Sequence, residues 1–391
     1  MTGIEAMKMK DKPTIQDIFN RFYPEYLLKY EPSYEQAKVA RNIINCKTGA
    51  YGANVSECEN CGSKQIHYNS CRNRCCPMCQ AIPTEKWVDA RREDVLEAPY
   101  FHVVFTVPEE LNMLIYYNQK LLYDALYHAA TETLTELLKE KIGVMSGVIS
   151  VLHTWGSNLV YHPHLHTIVL GGGLTDNNNW KDNGHEYFLP IKVISPVFRG
   201  KYLAIVKELW KNGELTFTGA IEKYRNHYAF QELLDTCYKK DWVPYSKKTF
   251  KNAEAVIKYL GRYTHKIAIS NHRIISMDEK SVTFRYKDYK DDAKVKVMTL
   301  SGVEFVRRFL MHVPPKGFVR LRHYGILSTR SKSKKLTLCR NLLGCQKLIA
   351  RLKDKEMPEI MQTLYQIDIC KCKSCGSHLG RSYQMRYPLL E

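Results

Sequence analysis

Apolar and polar positions follow two different rhythms along this chain. Near its start, within residues 1–45, IQDIFNRFYPEYLLKY repeats apolar side chains at helical spacing and predicts a partly amphipathic helical segment. From about residue 98 the rhythm is that of strands: YFHVVFTVP, GVISVLHTW and HLHTIVLGG are rich in β-branched and aromatic residues. Residues 109–142, between the first and second of these, read as a long helical stretch, which gives a β-α-β-β order and an α+β domain. Residues 195–212 and 251–265 read as further helices, and IAISNHRIISMDEKSVTFRYKDY reads as strand, turn, strand. The pattern changes place boundaries at 1–45 for the helical segment, 46–97 for a cysteine-rich module, 98–325 for the α+β domain and 326–391 for a basic C-terminal region.

With 391 residues the chain has ample length for two or three domains and a sizeable core. Lys and Arg number 58 against 40 Asp and Glu, a net charge of +18, so a polyanion is the expected partner and nucleic acid the leading one. Residues 316–355 hold twelve Lys or Arg against one Asp; within them SKSKK reads as a solvated loop open to phosphate contact. No run approaches the roughly 18 apolar residues of a membrane helix, and MTGIEAMKMKDKP lacks the apolar core of a signal peptide. The expected location is cytoplasmic, with no membrane partner, and the thirteen cysteines are then reduced.

Seven of those cysteines fall within residues 46–80. Cys58-x2-Cys61 and Cys76-x2-Cys79 match the two knuckles of a four-thiolate structural zinc site, because each tight turn presents two thiolates to one ion. On the surface of such a module Lys64, Arg72 and Arg74 are candidates for contact with DNA phosphates. SCRNRCCPMC also carries Cys71 and Cys75, which leaves a second ion or another ligand set open. Cys372-x2-Cys375 forms another close pair whose partners are open among Cys370, Cys339 and Cys345.

In YHPHLHTIVLGGG, His164 and His166 lie two apart on a strand, so both imidazoles face the same way. If GVISVLHTW and HLHTIVLGG form a hairpin about Gly156–Val160, residue sums near 317 pair across it and set His153 opposite His164. Three imidazoles then converge on one divalent ion, with His162 beyond Pro163 left either to touch substrate or to support the ligands from behind. In KNAEAVIKYLGRYTHKIAI, Tyr259 and Tyr263 are four apart and emerge on one helical face among Lys258, Arg262, His265 and Lys266, a setting that draws a phosphate to phenolic hydroxyls.

Taken in order, CENCG with SCRNRCCPMCQ, HTWG, HPHLHTIVLGGGL and KYLGRYTHKIAIS, with RLRHYGIL as a looser fifth, resemble the two-tyrosine rolling-circle transposases of the insertion-sequence ninety-one type, within the HUH endonuclease superfamily. The resemblance covers roughly residues 40–330. One departure is Cys75, where the family's zinc motif usually reads His. The resemblance implies a central antiparallel sheet flanked by helices (an RRM-like core), His164 and His166 holding Mg2+ or Mn2+, and Tyr259 and Tyr263 as nucleophiles. His153 is the third ligand by the hairpin argument, with His265 its rival. It further implies cleavage of single-stranded DNA at element ends and target through a 5′-phosphotyrosine, leaving a free 3′-OH, with help from the host replication machinery. A plasmid replication initiator or relaxase shares that chemistry, and a non-catalytic zinc protein that binds nucleic acid is the reading from a different class.

Overall fold

The computed structural model describes residues 12–182, 189–242, 245–250, 255–257, 259, 261, 267–289, 291–380 and 382–385. Among these the strands, in chain order, are β1 (Ala53–Glu57), β2 (Lys64–Tyr68), β3 (Tyr100–Thr106), β4 (Met145–Trp155), β5 (Tyr161–Leu174), β6 (Trp180–Asp182), β7 (Tyr245–Phe250), β8 (Ile274–Met277), β9 (Ser281–Asp288), β10 (Lys294–Ser301), β11 (Leu321–Gly325) and β12 (Ser382–Met385). The chain divides into two compact units, each assembled from separate stretches of sequence.

One unit comprises Met1–Ala90, His265–Val313 and Ala350–Glu391. Its helices Ile15–Leu27 and Tyr34–Ile44 both begin with reciprocal capping, Thr14 with Asp17 and Ser33 with Gln36, which satisfies backbone donors that a helix start leaves open. The helix Gly302–Met311 packs against the first of these, the Phe309 ring edge-on to Phe19 with centroids 5.2 Å apart. The strand–turn–strand expected around residues 267–289 is present as β8 and β9, extended by β10 into a three-stranded sheet. Residues 267–289 and 291–313, assigned by pattern to the 98–325 segment, therefore belong to the same unit as the N-terminal helices. A second three-stranded sheet runs β12-β1-β2.

The other unit comprises Arg91–Thr264 and Pro314–Ile349, and it contains the antiparallel sheet β11-β4-β5-β3-β7, with β6 added to the far end of β5. The β-α-β-β order holds, although the helical stretch 109–142 breaks at Asn118: its side chain donates to the Leu114 carbonyl and exchanges two hydrogen bonds with the Thr216 backbone. The helices are Asn112–Tyr117 and Gln119–Ile142. Period-two alternation puts Val103, Phe105, Leu165 and Thr167 on one face, fully buried. Phe198 of the helix Ile191–Lys211 packs on Phe105 there, with centroids 4.8 Å apart. The opposite face carries histidines.

SKSKK is not a loop. It opens the helix Lys332–Leu343, whose buried Leu336 and Cys339 stand three apart on one face. Part of the local charge is neutralised within the unit: Lys332 of the helix pairs with Asp94 at 2.9 Å, and Lys347, past the end of the helix, with Glu93 at 2.6 Å. Like charge in sequence concealed a helix that acidic side chains from residues 93–94 support.

RLRHYGIL contributes β11. Arg322 pairs with Asp124 and lies over the Tyr127 ring, 4.1 Å from its centroid. Gly325 has φ +64°, and a Cβ there would fall 1.8 Å from the Ser146 carbonyl oxygen. Left-handed backbone costs a side-chain-bearing residue about 1–3 kcal/mol before any overlap is counted. Gly325→Ala is expected to destabilise this unit by about 3 kcal/mol, which lowers its thermal midpoint by about 6–12 °C. A calorimetric midpoint within a degree of the parent protein would contradict the assignment.

Candidate active site and metal clusters

The hairpin of β4 and β5 sets His153 opposite His164, the pairing expected from the residue sums. Its turn closes through Gly156 N–H to the Val160 carbonyl at 2.9 Å. Pro163 interrupts a central strand without loss: it lies beyond His164, the last β5 residue paired with β3, and within the register shift between His153 and Trp155. His153, His164 and His166 bring a ligand nitrogen each within 4.8 Å of one another. Trp155, two residues on from His153 and therefore on the same face, stacks on its ring with centroids 4.6 Å apart and an interplanar angle of 18°. That contact gives the HTWG motif a physical role in fixing the imidazole.

The tautomers follow from the partners. His164 Nδ1 lies 2.7 Å from the His162 carbonyl, which only accepts, so Nδ1 carries the proton and Nε2 presents a lone pair. His166 Nε2 lies 3.2 Å from His164 Nε2, and its Nδ1 lies 3.0 Å from Nε2 of His102 on β3. Burial pushes the His102 imidazole down to about 4, which keeps it neutral and able to accept a hydrogen bond at Nε2. With that proton held on His166 Nδ1, both His164 and His166 direct Nε2 lone pairs at the same point. The donor set therefore fits a divalent cation, and His102 takes the supporting position usual behind a ligating histidine.

His102 was not found from sequence. It is a single histidine within YFHVVF, 64 residues before His166, and only the β3–β5 register brings the two together. Tyr259 is helical and half-buried, its ring 4.8 Å from that of His102. Tyr263, Lys258, Arg262, His265 and Lys266 lie outside the described residues. His162 is half-buried; burial lowers its pKa. Its backbone carbonyl orients His164.

The cysteines do not group as their spacing suggested. Cys76 and Cys79 sit with Cys71 and with Cys46, while Cys58 and Cys61 sit with Cys372 and Cys375. The sequence signal for a knuckle is local, and it does not state which knuckles meet. Cys46 was missed because it stands alone, 25 positions before Cys71, just past the helix Tyr34–Ile44, where the Gln16 side chain donates to its carbonyl at 2.9 Å. Cys71 Sγ and Cys79 Sγ are 3.8 Å apart. Hydrogen bonds from the Cys71 and Cys76 thiols draw Cys79 far below the ordinary thiol value, leaving it ready to bind metal as thiolate. Cys75 is buried outside both clusters. Arg72 and Arg74 are exposed, and Lys64 is exposed 4.0 Å from Glu57.

Comparison with known proteins matches this sequence to two family profiles. One, described as "Transposase zinc-binding domain", covers residues 18–107, which include Cys46, Cys71, Cys76 and Cys79. The other, described as "Putative transposase", covers residues 147–335, which include the three histidines and Tyr259. The putative transposase y4qJ of Sinorhizobium fredii is 41% identical over 336 residues, 85% of this chain and 84% of that protein. The transposase for insertion sequence element IS801 of Pseudomonas savastanoi pv. phaseolicola is 28% identical over 301 residues, 75% of this chain and 71% of that one. A solved structure, the conjugative relaxase TrwC in complex with oriT DNA and free of metal, aligns over 41% of this chain and 70% of its own, at 10% identity and a TM-score of 0.22, too slight a likeness to inform the fold. The class is that of transposases with a zinc-binding domain. Within it the chain belongs to the two-tyrosine transposases of the insertion-sequence ninety-one type.

The cluster geometry separates the two ambiguous cysteines. Cys71→Ser is expected to lower the zinc content of the purified protein by one ion per chain, and Cys75→Ser to leave it unchanged, as read by mass spectrometry of the metal. Equal loss from both variants would contradict the grouping.

Proposed function

We propose that this transposase nicks and rejoins single-stranded DNA at element ends and target by attack of a tyrosine on a phosphodiester, driving rolling-circle transposition in the cytoplasm with help from the host replication machinery. The observation that carries the reading is the three-imidazole cluster of β4 and β5, with Tyr259 packed against the His102 ring behind it. In the cleavage step the phenolic oxygen forms a bond to phosphorus and the bond from phosphorus to the 3′ oxygen breaks. The phenolic proton is given up and the departing 3′ oxygen gains one, which leaves a 5′-phosphotyrosine and a free 3′-OH. One ester replaces another, so rejoining is the reverse attack and no nucleotide cofactor is consumed. Tyr263, four positions after Tyr259 in the sequence, is the second nucleophile, and it permits a second cleavage before the first link is resolved.

His153, His164 and His166 are the residues to hold Mg2+ or Mn2+, and their nitrogen donors favour Mn2+ of the two. When bound, such an ion polarises a phosphate oxygen and offsets the negative charge that grows there during transfer. Exposed Arg72 and Arg74, together with His162, Lys258, Arg262 and Lys266, are assigned to DNA contact, in keeping with the chain's net charge of +18.

The test of the chemistry is incubation with labelled single-stranded DNA from the element's own ends in Mn2+ or Mg2+, resolved on a denaturing gel. The parent protein is expected to give a metal-dependent covalent adduct and Tyr259→Phe with Tyr263→Phe to give none; adducts at the parent level in the double variant would overturn the assignment. His102→Phe is expected to weaken Mn2+ binding about 10–100-fold by titration calorimetry, and an unchanged affinity would remove His102 from the site.

A further inference from the structure

The residues Cys58 to Ser63 read CENCGS, and Cys372 to Ser377 read CKSCGS. The two hexapeptides fold alike. In the first, Cys58 N–H donates to the Ser63 carbonyl at 3.0 Å and Gly62 N–H to the Cys58 carbonyl at 2.8 Å. In the second, Cys372 N–H donates to the Ser377 carbonyl at 2.8 Å and Gly376 N–H to the Cys372 carbonyl at 2.9 Å. Gly62 and Gly376 both take left-handed backbone, at φ +71° and +75°, with nothing within 4 Å of where a Cβ would stand, so the turn itself sets the requirement for glycine. Each turn joins two antiparallel segments: Glu57 faces Lys64 in one, and Lys371 bridges His378 in the other.

The tips meet face to face. Cys58 Sγ is 3.6 Å from Cys375 Sγ, Cys61 Sγ is 3.7 Å from Cys372 Sγ, and all four sulfurs fall within 4.8 Å of one another. A tetrahedron with metal–sulfur bonds of about 2.3 Å has edges of about 3.8 Å, so the thiols stand at the spacing of a single tetrahedral ion. They are far outside the roughly 2.05 Å of a disulfide. The surroundings are built to hold that arrangement. Asn60 Nδ2 donates to Ser377 Oγ at 3.1 Å and approaches Cys375 Sγ at 3.7 Å, Ser63 and Ser374 hydroxyls are 3.1 Å apart, and Leu379 is buried with Cys58 and Cys372. Next to the tips β1 pairs with β12, Ser56 opposite Ser382, and Gly380 N–H donates to the Glu57 carbonyl at 3.1 Å.

We propose that these four cysteines bind a second structural zinc, completing a ribbon whose halves lie 311 positions apart in one chain. Cys372 and Cys375 fall outside both matched family regions, residues 18–107 and 147–335, and the site is independent of the ion assigned to the histidines and of the tyrosine chemistry. Its role is to fasten the C-terminal stretch of the first unit to the N-terminal one.

Metal analysis of the full-length protein tests this. Two zinc ions per chain are expected in the parent, one in Cys58→Ser with Cys61→Ser, one in Cys372→Ser with Cys375→Ser, and still one in the quadruple variant, because both pairs serve the same ion. Two zinc ions in the tail variant, or less zinc in the quadruple variant than in either double, would overturn the proposal, as would iron in place of zinc. A second measurement needs no substitution. Cys61 and Cys375 are solvent-exposed, yet in the zinc-loaded parent both are expected to resist N-ethylmaleimide and to become labelled together once a chelator strips the metal, as read by peptide mapping. Immediate labelling of Cys375 in the loaded protein would overturn the site.

Discussion

The antiparallel register of β4 against β5 is the constraint on which the histidine-bearing half of this molecule depends. Strand side chains alternate with period two, so a slip of one residue would turn every histidine of β5 toward the helices and every apolar neighbour toward the open face. The slip is opposed from behind, where Leu152 faces Leu165 across the pair and Leu165 and Phe105 are fully buried. Ser150 and Thr167 hydroxyls, 3.1 Å apart, add a polar pin on that side. Fixing the apolar face in this way fixes the imidazole face, so packing energy on one side of the sheet positions ligand atoms on the other.

What could be read from sequence was what depends on neighbours in the chain. The hairpin was legible because a short turn sets its own register, and that register carried His153 to His164. The helix break at Asn118 was not, because its cause is the Thr216 backbone 98 residues away. His102 escaped for the same reason: nothing in YFHVVF announces that β3 will lie beside β5. The C-x2-C pairs announced turns and metal but not partnership, and the true grouping drew in the lone Cys46 and the distant Cys372 and Cys375. Charge misled once, at SKSKK, where lysines suggested solvent while Leu336 and Cys339 supplied a buried helical face.

The same distinction bears on where the protein's positive charge is free to act. Of the basic residues between 316 and 355, Arg322, Lys332 and Lys347 are engaged with Asp124, Asp94 and Glu93. Arg351 lies 3.7 Å from the buried Asp89, which also accepts from Leu352 N–H at 2.6 Å. This density of Lys and Arg is therefore in part structural, and a net charge read from sequence overstates the charge offered to a polyanion.

Closing a flexible loop of 311 residues costs about 5 kcal/mol in chain entropy by the logarithmic rule, less than the roughly 10–16 kcal/mol a structural zinc supplies to its fold. The ribbon can therefore hold its two ends together, but only after both exist. At about 5–20 residues per second a ribosome needs roughly 15–60 s to travel from Cys61 to Cys372. Through that interval the first knuckle waits with two thiols and no partners, while the whole histidine sheet is made and leaves the exit tunnel. Translation order thus makes the first half of the ribbon the last part of the N-terminal region to be finished, and a ribosome that stops between residues 349 and 372 would release a chain with its imidazoles in register and its ribbon open.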